Sequence, residues 1–295
     1  MDQAEKLRNM IKEHKASKEL VSNGARVITI TSGKGGVGKS STAVNLAIQF
    51  RKLGYRVMIF DADFGLANIE VMFGAIPKFN LSDVIYRGKN LEDIIVEGPM
   101  GVKFISGGSG VFEMTNMSSD NLRYLTAKLS QLEAMTDIII VDTGAGISES
   151  VLQFITSCNE VVLITTPEPT SITDSYALLK ALKRHPDYDK ENTAIKVITN
   201  RVSNEDEGKS LFSKLSIVVN KFLQIELAHL GMIPQDTHIL KSVMQQQPVS
   251  IAYENSGASK AYEVIAKRLT QNEKEKVSEK RGISFMFAKM FKSKT

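Results

Sequence analysis

One nine-residue stretch limits this chain more than any other. Gly33-Lys34-Gly35-Gly36-Val37-Gly38-Lys39-Ser40-Ser41 fits the spacing G-x-x-x-x-G-K-[ST], with Gly33, Gly38, Lys39 and Ser40 at the fixed places. Before it, Arg26–Thr31 is a short β-branched run that reads as a buried strand. After it, Ala43, Leu46, Ala47 and Phe50 recur at helical spacing. A glycine-rich loop between a strand and a helix N-terminus is a phosphate cradle. Its backbone N–H groups converge on anionic oxygens, and the helix dipole favours negative charge. The stretch from Gly33 to Ser41 is therefore expected to hold a nucleotide. Lys39 should reach the β- and γ-phosphates, and the Ser40 hydroxyl should hold Mg²⁺.

Such a site needs carboxylates, and two further strands end in them. Tyr55–Phe60 reads as a strand that runs into Asp61-Ala62-Asp63. Asp137–Asp142 is the strongest strand pattern in the chain, and its continuous apolar run suits a central parallel strand. Ligands collect at the carboxyl ends of strands in open α/β sheets, so these acids should converge on the loop. Asp142 is expected to bind Mg²⁺ through water, Asp61 to stand behind the ion, and Asp63 to orient the attacking water. Thr143-Gly144-Ala145-Gly146 then makes a flexible loop, in which Gly146 can offer a backbone N–H to a γ-phosphate. A plain strand-ending turn also favours Asp and Gly. The glycine run Gly107–Gly110 has no suitable helix after it and is not expected to form a second cradle.

Lys34 narrows the field. The string Lys-Gly-Gly-x-Gly-Lys resembles the deviant phosphate loop of the MinD/ParA class of ATPases, and Asp61-Ala-Asp63 resembles that class's first switch. The resemblance covers about Arg26 to Asn272. It implies slow, regulatory hydrolysis of ATP to ADP, with Lys34, Lys39 and Asp63 as the catalytic set. It also implies an ATP-dependent homodimer, in which Lys34 crosses to the partner's nucleotide. Thr166-Pro-Glu168 is similar to a class segment near the dimer interface and opens a helix over Ser175–Arg184. At the exit of the strand Ala194–Asn200, the string Asn200-Arg-Val-Ser203 lacks the aspartate of a guanine reader, which favours adenine. The resemblance places Asn200 and Arg201 on the base, with Pro234 and Asp236 flanking it.

The two ends add features of their own. Near the start, Asp2 and Glu5 form a capping box, and Leu7, Met10 and Ile11 make a narrow apolar stripe. The string Asp2-Gln-Ala-Glu-Lys-Leu-Arg8 resembles the D-Q-A-x-x-L-R motif that opens the FlhG family of MinD-like flagellar-number regulators. That resemblance implies that Asp2, Gln3, Ala4, Leu7 and Arg8 stimulate the FlhF GTPase, with Gln3 nearest its nucleotide. It also implies contact with flagellar basal-body (C-ring) proteins. At the other end, Ile283, Met286, Phe287, Met290 and Phe291 fall on one helical arc, with Lys289 and Lys292 facing away. The helix is too short to span a bilayer. A last helix packed on the domain or on a dimer partner would show the same arc; the charged linker before it and the class resemblance favour the interface of an anionic membrane. The formal net charge is +4, and residues 271–295 alone carry seven Lys/Arg against three Glu. The rest of the chain is neutral, so no specific nucleic acid is expected. Cys158 is the one cysteine, which argues for a reducing compartment and against iron–sulfur chemistry.

Together these readings predict an α/β fold with a doubly wound, mostly parallel sheet of the P-loop (MinD/ParA) type. Three segments are expected: 1–25 for partner activation, 26–272 for the ATPase domain, and 273–295 for a linker and membrane helix. The expected location is cytoplasmic, peripheral on the inner face of the cell membrane. A septum-placement MinD has no use for the Asp2–Arg8 string. A ParA-type partition protein needs a basic face. A metabolic enzyme on this fold does not need Lys34.

Overall fold

The structure, a computed structural model, describes residues 24–63, 68–108, 119–271 and 282–292. The string Asp2, Gln3, Ala4, Leu7 and Arg8 and the linker 273–281 lie outside these residues, as does the side chain of Phe291.

Strand β1 (Arg26–Thr31) leads through the glycine loop into helix α1 (Lys39–Lys52), as the flanking patterns predict. Then come β2 (Val57–Ala62), α2 (Asn68–Phe73), α3 (Leu81–Arg87), β3 (Val96–Glu97) and β4 (Lys103–Ser106). Next are α4 (Ser119–Ala134), β5 (Ile138–Thr143), α5 (Glu149–Ser157), β6 (Glu160–Thr165) and α6 (Pro169–Arg184). The chain continues with β7 (Ala194–Val202), α7 (Glu205–Leu223), β8 (Leu227–Pro234), α8 (Thr237–Met244), α9 (Val249–Ala252), α10 (Gly257–Gln271) and α11 (Ile283–Lys292). The strands form one sheet of order β3-β4-β2-β5-β1-β6-β7-β8, parallel except for β3. The chain winds outward from β1 in both directions, which puts the crevice of a doubly wound sheet at the glycine loop.

The central strands are apolar on both faces because helices cover both. In β5, Ile138 and Ile140 pack with Leu46, Ile48 and Phe50 of α1 and with Tyr262 and Ile265 of α10. Ile139 and Val141 point the other way, into a cluster with Phe60, Leu125, Leu129, Leu132 and Phe154. Such side chains each contribute about 1.5–3 kcal/mol on burial.

Three boundaries differ from expectation. Strand β2 starts and ends two residues later than the Tyr55–Phe60 run, so Asp61 lies inside it, paired in register with Asp142 of β5. The partner strand, not local propensity, sets that end. Helix α6 begins at Pro169 rather than Ser175, since proline is tolerated in a first turn. Strand β4 begins at Lys103, although the pattern Gly101–Ser106 reads as one strand, because Met100 and Gly101 take positive φ values of 56° and 70°.

The largest correction concerns α11. Its apolar face was expected to meet lipid. Instead Ile283, Met286, Phe287 and Met290 are at most 4% exposed, packed against α4 and α5. The Phe287 ring stands edge-on to Phe60 at 5.5 Å and to Phe154 at 6.4 Å. Polar contacts hold both ends of the helix. Glu133 Oε1 accepts hydrogen bonds from the Ser284 amide (2.8 Å) and hydroxyl. Lys289 was expected to face solvent, but it donates to the Thr156 carbonyl at the end of α5. An amphipathic arc specifies an apolar neighbour, not which one.

The sheet's two edges differ. β3 is two residues long and antiparallel. β8 is eight residues long, bulged against β7, and its Leu230 carbonyl accepts a hydrogen bond from Arg268 Nη1 at 2.9 Å.

Candidate active site

The glycine loop owes its shape to residues that accept no side chain. Gly36 and Gly38 have φ of +76° and +98°. A Cβ on Gly33 would stand 2.2 Å from the Asp174 carbonyl, so the loop lies directly on α6. Gly38 is the N-cap of α1 and supplies no side-chain cap, which leaves the helix's first amides open to an anion. Gly35, Val37 and Ser41 follow the same path, and the Val37 side chain is buried in the core.

Three expected groups converge at the loop. Lys39 is buried, and its charge opposes the rise in the pKa of Asp142. Asp142 is fully buried, and neither of its carboxylate oxygens has a hydrogen-bond partner. Burial pushes its pKa up to about 6, against the pull of the Ser40 hydroxyl and the Lys39 charge. Asp61 lies beside it. Its Oδ1 accepts from the Asp63 amide at 3.0 Å, and its Oδ2 has no partner. Burial, then the Asp142 charge, pushes Asp61 up to about 8. Three partnerless carboxylate oxygens next to a hydroxyl and a buried lysine form a hard-oxygen set suited to a cation. The set fits Mg²⁺, with Ser40 and Asp142 as holders and Asp61 behind. Asp63 stands at the mouth of the site, its Oδ1 3.9 Å from where a Cβ on Gly144 would lie.

Four expected groups are engaged elsewhere. Lys34 does not project outward: its Nζ lies 2.7 Å from Glu168 Oε2 and 2.8 Å from Thr170 Oγ1 of the same chain. The Lys34 ammonium holds the Glu168 carboxyl below its usual range. The Gly146 amide, expected for a γ-phosphate, donates to the Ser32 carbonyl at 2.9 Å. Asn200, expected on the base, lies under the loop: its Nδ2 donates to the Val37 carbonyl at 2.7 Å. Its Oδ1 accepts from the Arg201 amide, and Arg201 itself has φ +58°. Asp236 caps α8. It accepts from the amide and ring of His238, and its Oδ2 takes the Ala258 amide at 3.0 Å. Burial alone would raise its pKa, but the Ala258 and His238 donors hold it below the usual value. Asn200 and Asp236 thus brace the walls of the nucleotide site.

A polar cleft of about 340 Å³ opens beside the loop, lined by Thr166, Glu168, Arg201, Ser203, Glu207 and Gln235 among others. Ser203, Glu207 and Gln235 carry no motif. The structure finds them because β6, β7 and β8 end side by side, and Glu207 accepts from the Ser203 amide at 2.6 Å. Pro234 ends β8 next to them.

Comparison with known proteins adds to this geometry. Residues 23–270 match the ParA family model, described as NUBPL iron-transfer P-loop NTPase. The chain is 41% identical over 244 residues to antiactivator FleN of Pseudomonas aeruginosa, covering 83% of this chain and 86% of the relative. It is 35% identical over 226 residues to flagellum site-determining protein YlxH of Helicobacter pylori, covering 76% and 74%. The cell division ATPase MinD of Pyrococcus furiosus superposes with a TM-score of 0.65 at 25% identity, covering 84% of this chain and 99% of that one.

Proposed function

The chain belongs to the ParA family of P-loop NTPases and is an ATPase of the MinD class, and from this premise we propose that it is a nucleotide switch that regulates flagellar number or placement. The observation that carries the switch is the pair Asp61 and Asp142, buried in register with unfilled oxygens beside a phosphate loop. The flagellar role rests on the likeness to FleN and YlxH over most of each chain. The iron-transfer chemistry in the family's description does not extend to this chain. Its one cysteine, Cys158, is buried, with a pKa pushed up to about 12, so it offers no thiolate to iron.

The proposed cycle uses groups described above. The amides from Gly35 to Ser41 and the Lys39 ammonium bind the triphosphate of ATP. Ser40 and Asp142 would hold Mg²⁺, which would supply charge neutralisation to the phosphates. Asp63 orients a water for in-line attack. A γ-phosphate draws the Gly146 amide from the Ser32 carbonyl, which shifts the loop leading into α5. Lys34 leaves Glu168 and reaches a second subunit's nucleotide in the homodimer.

Because α5 also carries α11, the same shift loosens the helix dock. Undocking four buried side chains costs at most about 6–12 kcal/mol. Insertion of that face into anionic lipid offsets this cost, and two helices per dimer bind better than one. The proposed attachment is peripheral, and no helix among the described residues is long and apolar enough to cross a membrane. Asp2–Arg8 serves the FlhF GTPase, and basal-body (C-ring) proteins are the remaining partners.

The test is vesicle flotation of wild type and Lys39→Ala with ATP or ADP, alongside FlhF GTPase assays with Gln3→Ala. Flotation that needs both ATP and Lys39 supports the switch. Equal flotation in ATP and ADP separates the anchor from the nucleotide and rejects the coupling. Unchanged GTPase stimulation by Gln3→Ala rejects the partner reading.

A further inference from the structure

The two functional ends of the chain meet at one point. Gly24, where the described chain begins, abuts the start of α11: a Cβ on Gly24 would stand 3.1 Å from both the Gly282 nitrogen and Glu133 Oε2. Gly24, to which residues 1–23 are joined, therefore lies at the lip of the groove that α11 fills.

When α11 leaves, that groove does not stay a small feature. Phe60, Phe154, Leu125, Leu129 and Leu132 all lose cover from the helix side. Contiguous apolar surface of this size is normally covered in a soluble protein. The nearest cover is the segment attached to Gly24. Its stripe Leu7, Met10 and Ile11 has the i, i+3, i+4 spacing of Ile283, Met286 and Phe287. In that register Arg8 takes the place of Ser284, facing the Glu133 carboxylate that Ser284 vacates. The place of Met290 falls to His14, so the substitute is shorter and weaker. The reach is sufficient. About nine residues between His14 and Gly24 span up to ~30 Å, against ~15 Å for a ten-residue helix.

We infer that the groove exposed by release of α11 is taken by this chain's own N-terminal helix, through Leu7, Met10 and Ile11. The inference rests on α11 leaving the domain, as the switch above requires. Its consequence is exclusive use of the two ends. A subunit with α11 docked presents Asp2–Arg8 to a protein partner, and a subunit with α11 in lipid withholds it.

Cys158, the chain's one cysteine, reports on the groove because it lies in the same cluster as Met286 and Phe287 and is 3% exposed. The experiment uses full-length chain without lipid or nucleotide, so it fails or succeeds independently of the membrane switch. Phe287→Asp releases α11. Gly282→Ala is the milder variant, since its Cβ would stand about 2.1–2.2 Å from the Glu133 carboxyl atoms. Alkylation of Cys158 by N-ethylmaleimide is followed by mass, and ADP binding verifies the fold of each variant. The expected result is a modest rise in labelling rate with α11 released, and a further rise of at least tenfold when Met10→Asp is added. Met10→Asp alone should match wild type. A direct check is a Met10→Cys variant, which should form a disulfide with Cys158 under diamide only when α11 is released. If Met10→Asp leaves the labelling rate of a released, folded variant unchanged, fast or slow, the inference is overturned.

Discussion

Two regions of this domain, the carboxyl ends of the strands and the groove under α11, are built on opposite terms. At the carboxyl ends of the strands, the core holds carboxylates it does not satisfy: Asp142 and Asp61 keep three partnerless oxygens between them. At the α11 groove the core is dry and matched, with a phenylalanine trio inside and polar contacts at both helix ends. The first region spends stability to wait for a charged ligand. The second gains stability from a segment that the switch proposed above would release. One holds an unmet demand and the other a removable supply, and a switch needs both, because binding at the first must offset undocking at the second.

The largest blow to this comparison is Lys39→Ala. It removes the buried ammonium beside Asp142 and should lower ATP turnover by about 100-fold or more, measured as phosphate release. A smaller loss would mean that the unfilled oxygens are not where the charge of the substrate is met. Next, Phe287→Ala attacks the dry end. Urea unfolding should show a loss of about 3–5 kcal/mol without nucleotide. A loss well below this would mean that the groove closes over the gap.

A third experiment separates the two ends by pH. Asp61 has a folded pKa raised to about 8, well above its unfolded value near 3.8. The folded chain therefore holds the extra proton. The stability this gives is complete below about pH 4 and is lost as pH rises through 8. Asp142 adds a narrower loss that ends near pH 6. Asp61→Asn should raise the melting temperature of the nucleotide-free chain by several degrees at pH 8 and leave it nearly unchanged at pH 4. Each kcal/mol is worth about 2–4 °C at this size. An equal gain at both pH values would assign the effect to packing rather than charge. The smallest effect belongs to Glu168→Gln, which frees Lys34 from an exposed ion pair. It should lower the subunit concentration needed for ATP-dependent pairing by about two- to fivefold, read by light scattering. A higher required concentration would mean that Glu168 acts across the dimer and not within one chain.

The sequence made the phosphate loop, its flanking strand and helix, and the Asp142 strand legible, because each is a local pattern with a fixed spacing. It did not reveal what those patterns touch. Asn200 reads as the exit of a strand, and only the fold shows its amide spent on Val37. Asp236 reads as a loop acid, and only the approach of α10 shows it holding the Ala258 amide. The strand pairing that brings Asp61 level with Asp142 is likewise non-local. Helix α7 did have local signals: the Asn204 cap, three acids in its first turn, and Leu211, Leu215 and Val219 on one side. A search for chemistry passes over such a helix because it carries no motif. For α11 the periodicity was right, but it could not tell the groove of α4 and α5 from lipid, since both ask the same of a helix.

The unequal edges of the sheet bear on how copies of this protein can meet. A long open strand invites any other strand to zip onto it, in any number and without a nucleotide's permission. Here one edge is only two residues of β3, and the other is bulged, with Arg268 occupying the Leu230 carbonyl. Growth by lateral addition is discouraged at both borders. The homodimer proposed above uses the face where the nucleotide sits instead, and pairing there would stop at two and come apart when the phosphate leaves. For the regulator of number proposed above, blunt edges would keep lateral growth from blurring the count.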